Sequence, residues 1–158
     1  MLIEKYNLNL AGEYRVAAEL LLRGLYAAVT FGNMKGADIL AVGTNRRSAV
    51  IEVKASQKKN FVTGLYQKYR TQEIQSPNFW VLYSVSNVDH GFKERFFVLT
   101  HQEMAEVQGE RNFPGEGLTY LQVADRVKTG VDNVRISDVE RFEGLWDKIV
   151  HYCNFPTT

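Results

Sequence analysis

Between residues 12 and 22 the apolar positions Val16, Ala17, Leu20 and Leu21 repeat with the period of one helix face, and Gly24 follows as a stop. The pattern predicts a helix over Gly12–Leu22. Two apolar stretches come next, Ala37–Val42 and Ala49–Ala55, separated by Gly43-Thr-Asn-Arg-Arg-Ser48, which predicts a hairpin. Centring its turn between Asn45 and Arg46 sets Asp38 across from the Glu52–Lys54 region. Residues 61–74 have mixed helical character, and Ser76-Pro77-Asn78 separates them from a strand over Phe79–Val85. A second strand, Arg95–Leu99, runs into Thr100-His-Gln-Glu103, a capping box that opens a short helix. Residues 109–117 read as loop. Ser137-Asp-Val-Glu140 repeats the capping logic ahead of a last helix through Phe142, Leu145, Trp146 and Ile149. The order is helix, hairpin, helix, strand, strand, helix, irregular stretch, helix. It predicts an α/β domain with a central mixed sheet flanked by helices.

The candidate chemistry lies on the second hairpin strand. Side chains alternate faces along a strand, so Ala49, Ile51, Val53 and Ala55 point into a core while Val50, Glu52 and Lys54 point the other way. A carboxylate and an amine thus stand side by side on an otherwise apolar strand, and Asp38 joins them from the neighbouring one. Carboxylates brought this close repel unless a cation sits between them. Oxygen ligands without Cys or a nearby His suit a hard ion, Mg²⁺ or Mn²⁺. A lysine alongside can orient or deprotonate a water, or steady charge on a phosphate. Glu13 is the fourth member: it shares the apolar stripe of its helix with Ala17 and Leu20, where a buried carboxylate needs a partner. His90 and His101 are isolated and are assigned no role.

Composition narrows the class without choosing a function. The 158 residues suit one domain spanning 1–158, and a content of 45% hydrophobic and 23% charged residues excludes a disordered chain. No apolar run approaches the roughly 18 residues that cross a bilayer, and no membrane partner is expected. The start Met-Leu-Ile-Glu-Lys-Tyr-Asn lacks the order of a secretory signal, and the single cysteine, Cys153, excludes an internal disulfide or a cysteine metal cluster. A cytoplasmic protein is expected, with Cys153 a small apolar filler. The net charge of +1 favours no partner, but residues 1–75 hold 11 Lys/Arg against 6 Asp/Glu while residues 76–158 hold 8 against 12. Basic character therefore collects in the half that carries the candidate site. Arg46, Arg47, Lys58 and Lys59, with Lys68 and Arg70, are candidate contacts to a phosphate backbone.

Gly12-Glu13, an apolar helix, Gly24, then Gly36-Ala-Asp38-Ile-Leu and Ile51-Glu52-Val-Lys54 resemble the core of the PD-(D/E)xK nuclease superfamily. The likeness is to its Holliday junction resolvase-like branch and to small uncharacterised bacterial members. It covers residues 12 to 55. The resemblance implies a restriction-endonuclease-like core and phosphodiester hydrolysis on DNA. It further implies metal ligation by Asp38, Glu52 and the Val53 carbonyl, with Glu13 helping to hold the metal and Lys54 as the catalytic lysine. A further polar residue from the next helix is expected, with Gln57, Gln67 and Gln72 as candidates. Ala37 stands where the superfamily's motif has proline. A branched or palindromic substrate implies a homodimer, with Phe92–Phe97 or the surroundings of Trp146 as candidate interface and core packing as the use favoured for each. The alternative reading is a catalytically silent nuclease-like module that binds nucleic acid or protein.

Overall fold

The computed structural model describes residues 2–31, 37–69, 77–126 and 132–155. Helix α1 runs over Lys5–Leu22, seven residues ahead of the predicted start at Gly12. Glu4 caps it, taking the Tyr6 N–H at 3.4 Å, and Leu8 extends the buried stripe against Tyr83 and Val85. After it come β1 (Tyr26–Val29), β2 (Ile39–Val42) and β3 (Ser48–Ser56). The chain then forms a short strand β4 (Asn60–Val62), the one-turn helix α2 (Leu65–Tyr69) and the long strands β5 (Phe79–Val88) and β6 (Gly91–Thr100). Helices α3 (His101–Asn112) and α4 (Tyr120–Arg126) precede strand β7 (Asn133–Arg135). Helix α5 (Ile136–Val139), a 3₁₀ turn at Glu140–Phe142 and helix α6 (Asp147–Asn154) complete it.

Five strands make the central sheet in the order β1-β2-β3-β5-β6. All neighbours are antiparallel except β3 and β5, so the sheet is mixed, as predicted. One face packs on α1 and α6: Val16, Ala17 and Leu20 meet Ile39, Ile51, Val53, Val81 and Ile149, and Cys153 is a buried filler there. The opposite face, through Trp80, Leu82, Phe97 and Leu99, packs on α2 and α3 through Tyr66, Tyr69 and Met104. Strand alternation sorts these residues, since odd positions of β3 and β5 face one layer and even positions the other.

Several expectations are corrected. The 61–74 stretch is not one helix: Phe61 belongs to β4, which pairs with β7 as a separate two-stranded sheet. Among the described residues of this stretch Leu65–Tyr69 is helical, and 70–74 lie outside them. Gly109–Asn112 still belong to α3, whose Thr100/Glu103 capping box is present as expected. The Ser137/Glu140 cap does not form. Asp138 takes the Arg135 N–H at 2.7 Å, and Gly144 at φ 68° breaks the expected last helix into short pieces. In the hairpin Ile39 faces Ile51 and Val42 faces Ser48, so the turn centres on Asn45, with Arg46 taking φ 61°.

Candidate active site

Strand β3 has β2 on one edge and β5 on the other. With Ile51 and Val53 turned to the α1 layer, Glu52 and Lys54 project from the opposite face, next to Trp80 and Leu82 of β5. Burial in such apolar surroundings disfavours a charged carboxylate. Glu52 is nevertheless 1% exposed, and three donors compensate. The Lys54 ammonium lies 2.7 Å from Oε1, the Lys68 ammonium touches the same oxygen, and the Tyr69 hydroxyl donates to Oε2 at 2.7 Å. Desolvation pushes the Glu52 carboxyl up, but the charge of Lys54 and the bonds from Lys54, Lys68 and Tyr69 together hold it below its ordinary value. The same pairing works on Lys54: burial opposes its charge, yet Glu52 and then Asp38 hold its pKa above the ordinary value. Lys54 is therefore a fixed cation here.

Asp38 stands one residue before β2, where the hairpin ladder ends with its N–H donating to the Ile51 carbonyl at 3.0 Å. Its Oδ2 accepts the Val53 N–H at 2.7 Å, beyond the last β2–β3 pair of the described residues, Ile39 with Ile51. A strand residue's N–H and C=O leave on the same edge, so the Val53 carbonyl also leaves β3 on the Asp38 side. Burial, opposed by the Val53 bond and Lys54 and reinforced by Glu52, raises the Asp38 pKa. Glu13 comes from α1, which crosses β3 so tightly that a Cβ on Gly12 would sit 3.0 Å from the Ala55 Cβ. Burial and the charge of Asp38 raise the Glu13 pKa, against the pull of Lys54. Two acids are thus each less stable as anions here than in water, and a cation shared between them relieves both. Asp38, Glu13 and the Val53 carbonyl are oxygen donors of the type a hard divalent ion takes. Glu52 fits one only after releasing a lysine. Among the described residues, no group of three or more His, Cys, Asp or Glu is arranged to hold a metal ion.

The remaining candidates are dispersed. Lys58 and Lys59 are exposed on the bend that leaves β3. Arg46 and Arg47 lie at the other end of the hairpin, about 20 Å from Asp38 at roughly 3.3 Å per strand residue. Arg47 has structural partners there, with its guanidinium 3.8 Å over the Tyr152 ring and a bond to the Phe155 carbonyl at 3.2 Å. Gln57 takes the Ile3 N–H at 2.7 Å, and Gln67 is exposed on α2. Gln72 and Arg70 lie outside the described residues. The polar groups that α2 delivers to Glu52 are instead Lys68 and Tyr69. Their adjacency to Gln67 was the signal available, since consecutive positions of a short helix present different faces. His101, passed over in the sequence, stacks on Trp80 and accepts its indole N–H at 3.1 Å. Burial, against the charge of Glu52, lowers its pKa and keeps the imidazole neutral. Of the candidate interface residues, Phe97 and Trp146 are buried in the core, while Phe92 is exposed.

The sequence matches no protein-family model and no curated protein. Among solved structures, the bacterial homing endonuclease I-Ssp6803I aligns over 95% of this chain and 94% of its own, at 13% identity and a TM-score of 0.48. A likeness of that size carries no argument about the site. No helix among the described residues is long and apolar enough to cross a membrane.

Proposed function

We propose that this chain is a metal-dependent nuclease of the PD-(D/E)xK superfamily, a single domain over residues 1–158 that hydrolyses phosphodiester bonds of DNA. The observation that carries the reading is the meeting of Asp38, Glu52 and Lys54 at the open end of the β2–β3 ladder, with Asp38 bonded to the Val53 amide. Asp38, Glu52 and the Val53 carbonyl are the ligands we assign to Mg²⁺ or Mn²⁺, with Glu13 supporting from α1. Such an ion supplies Lewis acidity to the scissile phosphate and acidifies a bound water. Lys54, held charged by Glu52, orients that water and steadies developing negative charge. Lys68, which now holds Glu52, would be free to contact a phosphate where an ion took its place on that carboxylate. Lys58 and Lys59 hold flanking backbone, and Arg46 and Arg47 reach only a longer duplex.

The test is incubation with labelled linear, nicked, branched and single-stranded DNA in Mg²⁺, Mn²⁺ or EDTA. Metal-dependent cleavage is expected, and Lys54→Ala should lower its rate by about 100-fold or more while retaining most DNA affinity. Calorimetric titration should show Mn²⁺ binding that Asp38→Ala removes. A second reading, a nuclease-like module that binds without cutting, is favoured by one observation. The Glu52 oxygens are already engaged by Lys54, Lys68 and Tyr69. Folded protein that binds Mn²⁺ yet leaves every DNA form intact would select it.

A further inference from the structure

Among the described residues, helix α2 covers five, Leu65–Tyr69. Isolated helices shorter than about 12 residues are marginal in water, so α2 depends on the rest of the chain for its position. That position matters, because α2 carries Lys68 and Tyr69 to Glu52. Part of the support is apolar, from buried Leu65, Tyr66 and Tyr69, with the Tyr66 hydroxyl donating to the Ala105 carbonyl at 3.0 Å. The rest is a buried polar cluster drawn from three distant segments. Asp132, just before β7, is 4% exposed, Thr63 ahead of α2 is 1% exposed, and Gln108 on α3 is fully buried.

The Asp132 carboxylate faces the first turn of α2. Its Oδ1 lies 3.5 Å from the Tyr66 amide nitrogen, and its Oδ2 accepts the Gln67 N–H at 3.3 Å. The Gln108 side-chain amide donates to Oδ1. The single Thr63 hydroxyl proton is shared, with Gln108 Oε1 at 2.6 Å and Asp132 Oδ1 at 3.2 Å. The Thr63 N–H donates to the Asp132 carbonyl at 3.0 Å. A carboxylate withdrawn from water is costly unless it is hydrogen-bonded, and here Gln108 from α3, the Thr63 hydroxyl and the first amides of α2 surround it. An apolar residue at position 132 would fill the space more simply but would not orient the helix.

We infer that Asp132 is a positioning residue for the proposed site. Through the α2 amides it sets where Lys68 and Tyr69 meet Glu52, and so how readily Glu52 exchanges Lys68 for a metal ion. The inference rests on the nuclease reading, and it gives the C-terminal third of the chain a part in that site. Asp132→Asn keeps the volume but turns an N–H₂ donor toward either the Gln67 amide or the Gln108 donor. Loosening α2 this way weakens the hold of Lys68 on Glu52, which removes a competitor for the ion and also disorders two groups at the reacting phosphate.

The test measures three quantities on the full chain: amide hydrogen exchange at residues 66–69, Mn²⁺ affinity by calorimetry, and single-turnover cleavage. Asp132→Asn is expected to speed exchange of the α2 amides, tighten Mn²⁺ binding severalfold and slow cleavage at least tenfold. General structural damage would weaken metal binding and cleavage together, so the opposed signs are the signature. Lys68→Met should tighten Mn²⁺ binding to the same extent, and adding Asp132→Asn to it should bring no further gain. Should Asp132→Asn fail to fold, Asp132→Glu keeps the charge, shifts the acceptors by one methylene and is expected to move all three quantities the same way by less. Unchanged α2 exchange, or Mn²⁺ affinity equal to or weaker than wild type, overturns the inference. A wild-type protein that binds no Mn²⁺ overturns the nuclease reading instead, and the exchange measurement still decides whether Asp132 holds α2.

Discussion

Replacing Glu52 by Gln removes one negative charge from a position that is 1% exposed and leaves Lys54 and Lys68, 23% and 40% exposed, without it. A hydrogen bond to a charged group contributes about 1.5–3 kcal/mol, and removing one partner of a fully buried pair costs about 3–5 kcal/mol. Both ammonium groups reach water, and the Gln carbonyl still accepts from one of them, so the net loss is about 2–3 kcal/mol. For a chain of 158 residues each kcal/mol moves the melting temperature by roughly 2–4 °C, which gives a drop of about 4–12 °C. Circular dichroism melts at pH 7 and low salt measure this directly, and urea unfolding should shift its midpoint with an unchanged slope. Adding Lys68→Met to Glu52→Gln removes one uncompensated cation and should recover part of the loss. Added Mn²⁺ should stabilise the wild type, by about 2.7 kcal/mol at a hundredfold excess over the dissociation constant, and Glu52→Gln much less. A variant that melts within about a degree of wild type, or above it, would refute the view that Glu52 is held charged at a net gain, because desolvation would then have cancelled the pairing.

Acid should erase the contribution of a second carboxylate. Glu94 receives Arg15 at 2.8 and 3.1 Å and the Tyr83 hydroxyl at 2.6 Å, and the Arg15 bond, against burial, lowers its pKa from 4.5. A depressed folded-state value means stability present above the unfolded pKa and lost as pH falls through the folded one. The gap in melting temperature between wild type and Glu94→Gln should therefore be full near neutrality and shrink below pH 4.5, and a gap independent of pH would contradict the pairing. Gly43→Ala should destabilise by about 1–3 kcal/mol in urea, since its Cβ would fall 2.2 Å from the Cys153 carbonyl oxygen and one of the two backbones must shift. In fluorescence-anisotropy titrations across salt, Lys58→Ala with Lys59→Ala should flatten the salt slope of DNA binding more than Arg46→Ala with Arg47→Ala. Equal losses would mean the duplex runs the length of the hairpin.

Much of the site could be read from local pattern. The hairpin was legible because Gly43-Thr-Asn-Arg-Arg-Ser48 separates two β-rich runs, and with it the approach of Asp38 to Val53, the residue between Glu52 and Lys54. What escaped depends on partners distant in sequence. Tyr26–Val29 holds two alanines, which have low strand preference, and becomes β1 only by pairing with β2. Strands β4 and β7 are three residues each and find one another across some seventy positions, so neither has a local signature. Glu4 is an unusual cap, so the sequence pattern marks the helix only from Gly12, where its apolar stripe is strongest. Lys68, Tyr69 and Asp132 are ordinary residues in the sequence and acquire their relation to Glu52 only through packing. Trp146 and Phe97, by contrast, take the core places that the sequence favours for them over an interface.

The split between near and distant pairing also sets an order of assembly. Strands β5 and β6 pair through ten consecutive residue pairs across a two-residue turn, a local structure of the kind that closes within about 1–10 μs. The parallel pairing of β3 with β5, and still more the meeting of β4 with β7, must wait for long loops to close. A nascent chain that has left the ribosome as far as β6 already contains Glu13, Asp38, Glu52 and Lys54, yet it lacks Asp132 and the strand that follows. We expect the proposed hydrolytic competence to arise late in folding, after the motif residues are present and well after their strands have formed.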